Sequence, residues 1–255
     1  MMTQKELKAF LDEKVLQYNS PNFIESDPIL IPHLFSAKED IEIAGFLAAT
    51  IAWGNRKSII TNANKMMNLM GNSPHDFVIS HTVYDLERLE GFVHRTFNAT
   101  DFSTFISCLK NIYQNHGGLE NAFAKSIPEK DLQLGISNFK KLFFENSSSY
   151  RSQKHVSDPA KNTAAKRINM YLRWMCRQDN AGVDLGIWKS ISPALLSCPL
   201  DVHSGNVARK LLLLQRTQND GKALAELDLS LRKMDATDPA KYDFALFGLG
   251  VFEGF

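Results

Sequence analysis

The stretch that decides the fold is Pro199-Leu-Asp-Val-His-Ser-Gly-Asn-Val-Ala-Arg-Lys-Leu211, which predicts the start of an amphipathic helix. The proline restricts the approach, and Asp201 is a residue type that caps the free backbone N–H groups of a first helical turn. Val207, Leu211 and Leu214 then recur at helical spacing. Asp201 is therefore expected at the mouth of a helix, either as an N-cap alone or as an N-cap that also carries chemistry.

Helical periods dominate the rest of the chain as well. Apolar residues share one helical face in two further stretches, Ile43, Phe46, Leu47 and Ile51, and Leu224, Leu227, Leu231 and Met234. Asp238-Pro239 predicts a cap and a first-turn proline for a last helix through Phe247, and Gly248 and Gly250 are expected to end it. Alternating strand patterns are absent, so we predict an all-α protein of roughly ten or more helices.

Composition narrows the class of protein. The 255 residues are 44% hydrophobic and 22% charged, which suits a full core in one domain or in two closely packed lobes. The charged start and the lack of a long apolar run predict a cytoplasmic protein without membrane contact. The three cysteines are widely spaced, and His203 near Asp201 has no second pair of metal-binding residues at matching spacing. We therefore expect no disulfide framework, no metal and no iron–sulfur cluster.

Charge is distributed unevenly along the chain. Residues 151–216 contain 11 Lys or Arg against four Asp, a net charge of +7, whereas the remaining chain has a net charge of −6. This asymmetry is typical of a surface that faces a polyanion, and equally of an ordinary solvated helix face.

One helix in this basic segment carries a candidate nucleophile. Lys166, Met170, Arg173 and Arg177 recur on one predicted helical face. Neighbouring guanidinium groups and partial burial disfavour an ammonium ion, which favours a free amine at Lys166. The alternative is a solvated basic face on which Lys166 is one phosphate contact among several.

Two motifs resemble those of a known superfamily. The pattern Asp201-x-His203-x-x-x-Val207-x-x-Lys210-Leu211, preceded by Pro199, resembles the aspartate motif of the helix-hairpin-helix DNA glycosylases. Residues 43–60 resemble that superfamily's early apolar helix, its turn and the start of the next helix. The hairpin signature before the aspartate is missing, and Lys166 lies further upstream on a helix. That arrangement is most similar to the archaeal 8-oxoguanine DNA glycosylases.

The whole chain resembles an uncharacterised bacterial family more closely still. Two stretches carry this second resemblance: Lys-Arg-Ile-Asn-Met-Tyr-Leu-Arg-Trp-Met (166–175) and Asp-Pro-Ala-Lys-Tyr-Asp-Phe-Ala-Leu-Phe-Gly-Leu-Gly (238–250). The glycosylase resemblance implies a two-lobed helical fold with a cleft between the lobes. One lobe is expected over residues 35–200, and the other over residues 1–34 plus 201–255.

The resemblance also implies an activity and a partner. The expected protein is a DNA repair glycosylase with AP-lyase activity on an oxidised purine such as 8-oxoguanine, without a cofactor. Its partner is double-stranded DNA with a damaged base flipped out of the helix. Lys166 is expected to attack C1′ of that nucleotide, while Asp201 stabilises the cationic transition state and helps to deprotonate the amine.

Further residues are expected to contact DNA: Arg167, Arg173, Arg177, His203, Arg209, Lys210, Asn55 and Arg56. Asn55 and Arg56 follow Trp53 at the turn after the early apolar helix, the place where such enzymes fill the gap left by the flipped base. Trp53 by itself suits a core position at the end of that helix. Two rival hypotheses stay open. In the first, the chain is a glycosylase-fold protein that binds nucleic acid but catalyses no reaction. In the second, it is a helical interaction protein whose basic segment is an ordinary solvated surface.

Overall fold

The computed structural model describes residues 2–255, and these are predominantly helical. The only sheet in that range is an antiparallel pair, β1 (Val93–His94) and β2 (Phe97–Asn98). The α-helices are α1 (Gln4–Tyr18), α2 (Lys38–Thr50), α3 (Arg56–Leu69), α4 (Pro74–Ser80), α5 (Val83–Glu87), α6 (Ala99–Asn115), α7 (Gly118–Ser126), α8 (Leu132–Phe143), α9 (Lys166–Cys176), α10 (Val202–Lys210), α11 (Gly221–Met234) and α12 (Tyr242–Phe252). Short 3₁₀ turns join several of them. The predicted all-α fold is confirmed.

The chain folds into two compact units. The middle unit spans Ile24–Ser157, and the terminal unit combines the residues up to Phe23 with Asp158–Phe255. The lobe boundaries and the cleft expected from the glycosylase resemblance stay predictions.

The middle unit holds α2 to α8 and the hairpin around an aromatic core. Phe46 of α2 packs on Phe105 of α6 and on Phe139 and Phe143 of α8. Ile43, Phe46, Leu47 and Ile51 are fully buried, as their spacing predicts, but they do not form a separate apolar face, because every residue of α2 from Ile41 to Thr50 is buried.

The terminal unit holds α1 and α9 to α12. Helix α12 packs against both α1 and α10, and their shared apolar core includes Leu11, Val207, Leu227 and Leu249. This unit contains both residues predicted to be catalytic, so their relative position is defined within one compact body.

The last helix is longer than predicted. Gly248 and Gly250 lie inside α12 and do not end it. A methyl group on Gly248 would overlap the ring of Tyr18, and one on Gly250 would lie 3.1 Å from Cβ of His203. The glycines therefore let α1 and α10 approach the same helix closely, which local helix-ending rules do not reveal.

Candidate active site

Lys166 and Asp201 meet at the ends of two helices in the terminal unit. Lys166 is the first residue of α9, Asp201 is the N-cap of α10, and Lys166 Nζ lies 3.1 Å from Asp201 Oδ2. The side chains keep 34% and 15% of their surface exposed. The two side chains therefore form one polar pair, and each is partly exposed to solvent.

Asp201 is fixed by its own helix. Its Oδ1 accepts a hydrogen bond from the Ser204 backbone N–H at 2.9 Å, and its own N–H donates to Ser204 Oγ at 2.9 Å. Asn219 Nδ2 donates to the Asp201 carbonyl at 2.7 Å. The predicted N-cap is therefore confirmed, with Oδ1 as the capping oxygen. The other carboxylate oxygen, Oδ2, is left to contact Lys166.

The surroundings of Asp201 favour its ionised form. Burial raises the pKa of the carboxyl group, but the charge of Lys166 and the hydrogen bond from Ser204 outweigh burial and hold the pKa below its usual value. Asp201 is therefore a carboxylate near pH 7, the form that stabilises a cation.

Lys166 is positioned by the turn that precedes α9. Asn162 and Ala165 adopt left-handed backbone conformations, with φ of 58° and 41°. Asn162 is attached to the start of α11, because its Nδ2 donates to Asp220 Oδ2 at 3.0 Å and its carbonyl accepts from the Gly221 N–H at 3.0 Å. The first residue of α9 is thus placed by a turn that α11 holds in shape.

The predicted row of cations on α9 is wrong for Arg173 and Arg177. Both side chains are only 3% exposed. The Arg173 guanidinium contacts Asp184 and Asp243, and that of Arg177 contacts Asp179, Asp184 and Asp238 at 2.6–3.0 Å. Buried guanidinium groups need such partners, so these two arginines anchor α9 and do not present a surface to DNA.

Asp243 is a buried acid that the sequence analysis missed. It contacts Arg173, and Cys198 Sγ lies 3.7 Å from its Oδ1. Burial raises the pKa of Asp243 to about 6, against the opposing charge of Arg173, and the carboxylate of Asp201 adds to the rise. The detectable signal was a lone acid within the apolar run Tyr-Asp-Phe-Ala-Leu-Phe of α12.

The other predicted contacts of the terminal unit differ in exposure. His203 and Lys210 lie exposed on α10, whereas Arg167 is half-buried and burial lowers its pKa to about 10. Arg209 is also half-buried and donates to the Arg216 carbonyl at 2.7 Å and to Asn219 Oδ1 at 2.6 Å. Arg209 therefore supports the loop that carries Asn219 and, through it, the Asp201 backbone.

Asn55 and Arg56 belong to the middle unit. Asn55 is exposed and caps α3, its Oδ1 accepting from the Ser58 N–H at 3.1 Å, and the half-buried Arg56 is the first residue of that helix. Trp53 is half-buried between the rings of His94 and His155. It thus lies beyond the end of α2 within an aromatic cluster.

Comparison with known proteins places the chain in a family. The family described as "Protein of unknown function (DUF2400)" matches residues 27–252. The chain belongs to the DUF2400 family. No curated protein and no solved structure matches it.

The DUF2400 match contains every candidate residue described above, from Asn55 to Asp243. Within residues 2–255 of this DUF2400 chain, no group of three or more His, Cys, Asp or Glu side chains is arranged to hold a metal ion. In the same range, no helix has both the length and the apolar character needed to cross a membrane.

Proposed function

We propose that this protein is a DNA glycosylase with AP-lyase activity, and that Lys166 and Asp201 carry its chemistry. The observation that supports the proposal is the contact of 3.1 Å between Lys166 Nζ and Asp201 Oδ2, with both groups accessible to solvent. An amine beside a carboxylate suits attack on a sugar carbon whose leaving base generates positive charge. The motif that resembles the aspartate motif of the helix-hairpin-helix glycosylases contains Asp201, and the position of Lys166 upstream of it is similar to that in the archaeal 8-oxoguanine glycosylases.

The reaction begins with a proton transfer. The Lys166 ammonium must lose a proton before its nitrogen can attack, and Asp201 Oδ2 is the adjacent acceptor. The amine then forms a bond to C1′ of the flipped nucleotide as the bond from C1′ to the base breaks. The departing base takes the bonding electron pair and the proton that Asp201 had accepted. This transfer restores the Asp201 carboxylate, which stabilises the positive charge that develops on the sugar and the attached nitrogen.

Strand cleavage follows from the covalent bond. Opening of the sugar ring converts the adduct into a Schiff base between Lys166 and C1′, with the ring oxygen becoming a hydroxyl group. The Schiff base acidifies the hydrogens on C2′, and loss of one of them expels the 3′ phosphate by β-elimination. Hydrolysis of the Schiff base then restores the Lys166 amine.

The proposed substrate is duplex DNA that contains an oxidised purine such as 8-oxoguanine. Its support is the resemblance to the archaeal 8-oxoguanine glycosylases, in which the lysine also lies well upstream of the aspartate. Extrusion of the base is part of the proposal, because the C1′ atom of a stacked nucleotide is inaccessible to a side chain.

Cleavage of defined duplexes tests the proposal. Duplexes with 8-oxoguanine, an abasic site or only normal bases are incubated with the wild type, Lys166→Gln, Asp201→Asn and Lys161→Gln. Lys161 is an exposed lysine of the same unit, so its variant controls for charge. We expect base release and strand cleavage by the wild type and Lys161→Gln alone. Salt-dependent DNA binding without any product from the wild type would instead support the non-catalytic binding protein.

A further inference from the structure

We infer that residues 53–57 and 93–98 of the middle unit form one rigid basic surface, the hairpin platform, which binds the phosphate backbone of duplex DNA through Arg95. The inference rests on the proposed function for the nature of the partner. It adds a contact that the motifs do not indicate, because β1 and β2 lie outside both of them.

The first support is the way Trp53 joins the two segments. The His94 ring of β1 packs edge-on against Trp53 at a centroid distance of 5.2 Å, and the His155 ring stacks on it at 5.9 Å. His94 Nε2 lies 3.4 Å from the Trp53 carbonyl oxygen. Aromatic contacts on two sides restrict the tryptophan, so the turn before α3 and the hairpin are held together.

The second support is the close approach of Arg95 to Gly54. A methyl group on Gly54 would lie only 2.8 Å from Arg95 Nη1, and Gly54 has a φ of 104°. Arg95 itself adopts a φ of 55° in the two-residue turn between β1 and β2. A long side chain in the left-handed region is uncommon, because glycine and asparagine suit such turns better. The hairpin thus displays an arginine where its backbone favours a smaller residue.

The third support is an anchor on the other side of the hairpin. Arg151 Nη2 donates to the Thr96 carbonyl and to Asp101 Oδ2, each at 3.1 Å. Asp101 is fully buried and also accepts from Ser152 Oγ at 2.8 Å. The hairpin is therefore fastened by Trp53 on one side and by Arg151 on the other.

The charge of the hairpin platform fits a polyanion. Arg95 and Lys57 are exposed, and no carboxylate in the described chain lies within ion-pair distance of either. Arg151 also keeps 47% of its side chain exposed, while its acidic partner is buried. A guanidinium group presents a planar set of donors that matches phosphate oxygens. Among anionic partners, duplex DNA offers a regular array of phosphates that several exposed cations of one surface can contact.

Binding of the full-length protein to a labelled abasic duplex, measured by fluorescence anisotropy over a range of salt concentrations, tests the inference. Arg95→Ala is expected to weaken binding severalfold and to reduce the slope of log K against log salt by about one. Arg95→Lys is expected to recover the slope. Lys125→Ala removes an exposed charge from α7 of the same unit and is expected to bind like the wild type.

A second variant keeps every charge. Gly54→Ala forces the Arg95 guanidinium to move, so we expect it to weaken binding as well, with thermal unfolding to confirm that the variant is folded. If Arg95→Ala is folded and binds with the affinity and salt slope of the wild type, the inference that the hairpin platform binds DNA is overturned, even if the wild type cleaves DNA. Binding that depends on Arg95, without any cleavage by the wild type, would contradict the glycosylase and leave the platform standing.

Discussion

Asp201 divides its two carboxylate oxygens between two partners, with Oδ1 accepting from the Ser204 N–H at 2.9 Å and Oδ2 lying 3.1 Å from Lys166 Nζ. The capping bond sets the direction of the second oxygen. The N-cap residue of α10 therefore also forms an ion pair with the first residue of α9.

Substitutions at position 201 should separate the cap from the ion pair. Asn keeps a side-chain oxygen for the Ser204 N–H, so Asp201→Asn should leave the free energy of unfolding nearly unchanged while abolishing strand cleavage. Asp201→Ala loses the cap and should lower the free energy of unfolding by about 1 kcal/mol. Urea unfolding of both variants measures the difference. Equal stability of the two variants would show that the cap contributes nothing.

Arg173 should be essential for stability. Arg173→Ala leaves Asp243 buried without its guanidinium partner, whereas Asp184 keeps Arg177, and breaking a buried pair costs about 3–5 kcal/mol. The exposed Lys161→Ala is the control and should stay within about 0.5 kcal/mol of the wild type. Unfolding in urea measures both variants. A loss for Arg173→Ala as small as that of the control would mean that water solvates Asp243 after the change.

Asp243 should make stability depend on pH in mildly acidic solution. Its pKa is raised to about 6 in the folded protein, so the folded state holds a proton that the unfolded chain has released. This contribution is fully present below the unfolded pKa of about 4 and is lost as the pH rises through about 6. Asp243→Asn should remove that part of the pH dependence, as measured by urea unfolding at several pH values. An unchanged profile in the variant would assign the dependence to another group.

The two glycines of α12 should respond differently to alanine. Gly248→Ala pushes a methyl group into the Tyr18 ring and should cost about 1–3 kcal/mol, despite the better helix propensity of alanine. Gly250→Ala meets His203 Cβ at 3.1 Å, a milder contact, and should cost less. Thermal unfolding ranks the two variants. The reverse order would show that α1 moves away from α12 more readily than α10 does.

Local patterns predicted the parts of the structure that depend on neighbouring residues. The cap at Asp201, the burial of the apolar residues of α2 and the helical character of the chain all follow from spacing within one or two turns. Helical periodicity also placed Arg173 and Arg177 on one face, but it does not reveal what covers that face. Asp179 and Asp184 follow closely in the sequence, but the other two partners, Asp238 and Asp243, come from a distant part of the chain, so spacing alone could not predict that both arginines are buried.

The contact between Lys166 and Asp201 shows the same limit. No local pattern relates the first residue of α9 to the cap of α10, so the sequence alone could not show that the two side chains meet. Asp243 could have been noticed as a lone acid in an apolar run, but its partner Arg173 could not be predicted from local spacing. The hairpin with Arg95 was missed because strands of two residues are too short to show an alternating pattern.

Borohydride trapping followed by peptide mapping tests the central claim most directly. The wild type is incubated with a duplex that contains 8-oxoguanine or an abasic site, the Schiff base is reduced, and the modified peptide is identified by mass spectrometry. We expect a single adduct on Lys166, which is lost in Lys166→Gln and retained in Lys161→Gln. An adduct on another lysine, or none with either substrate, would contradict the assignment of Lys166 as the nucleophile.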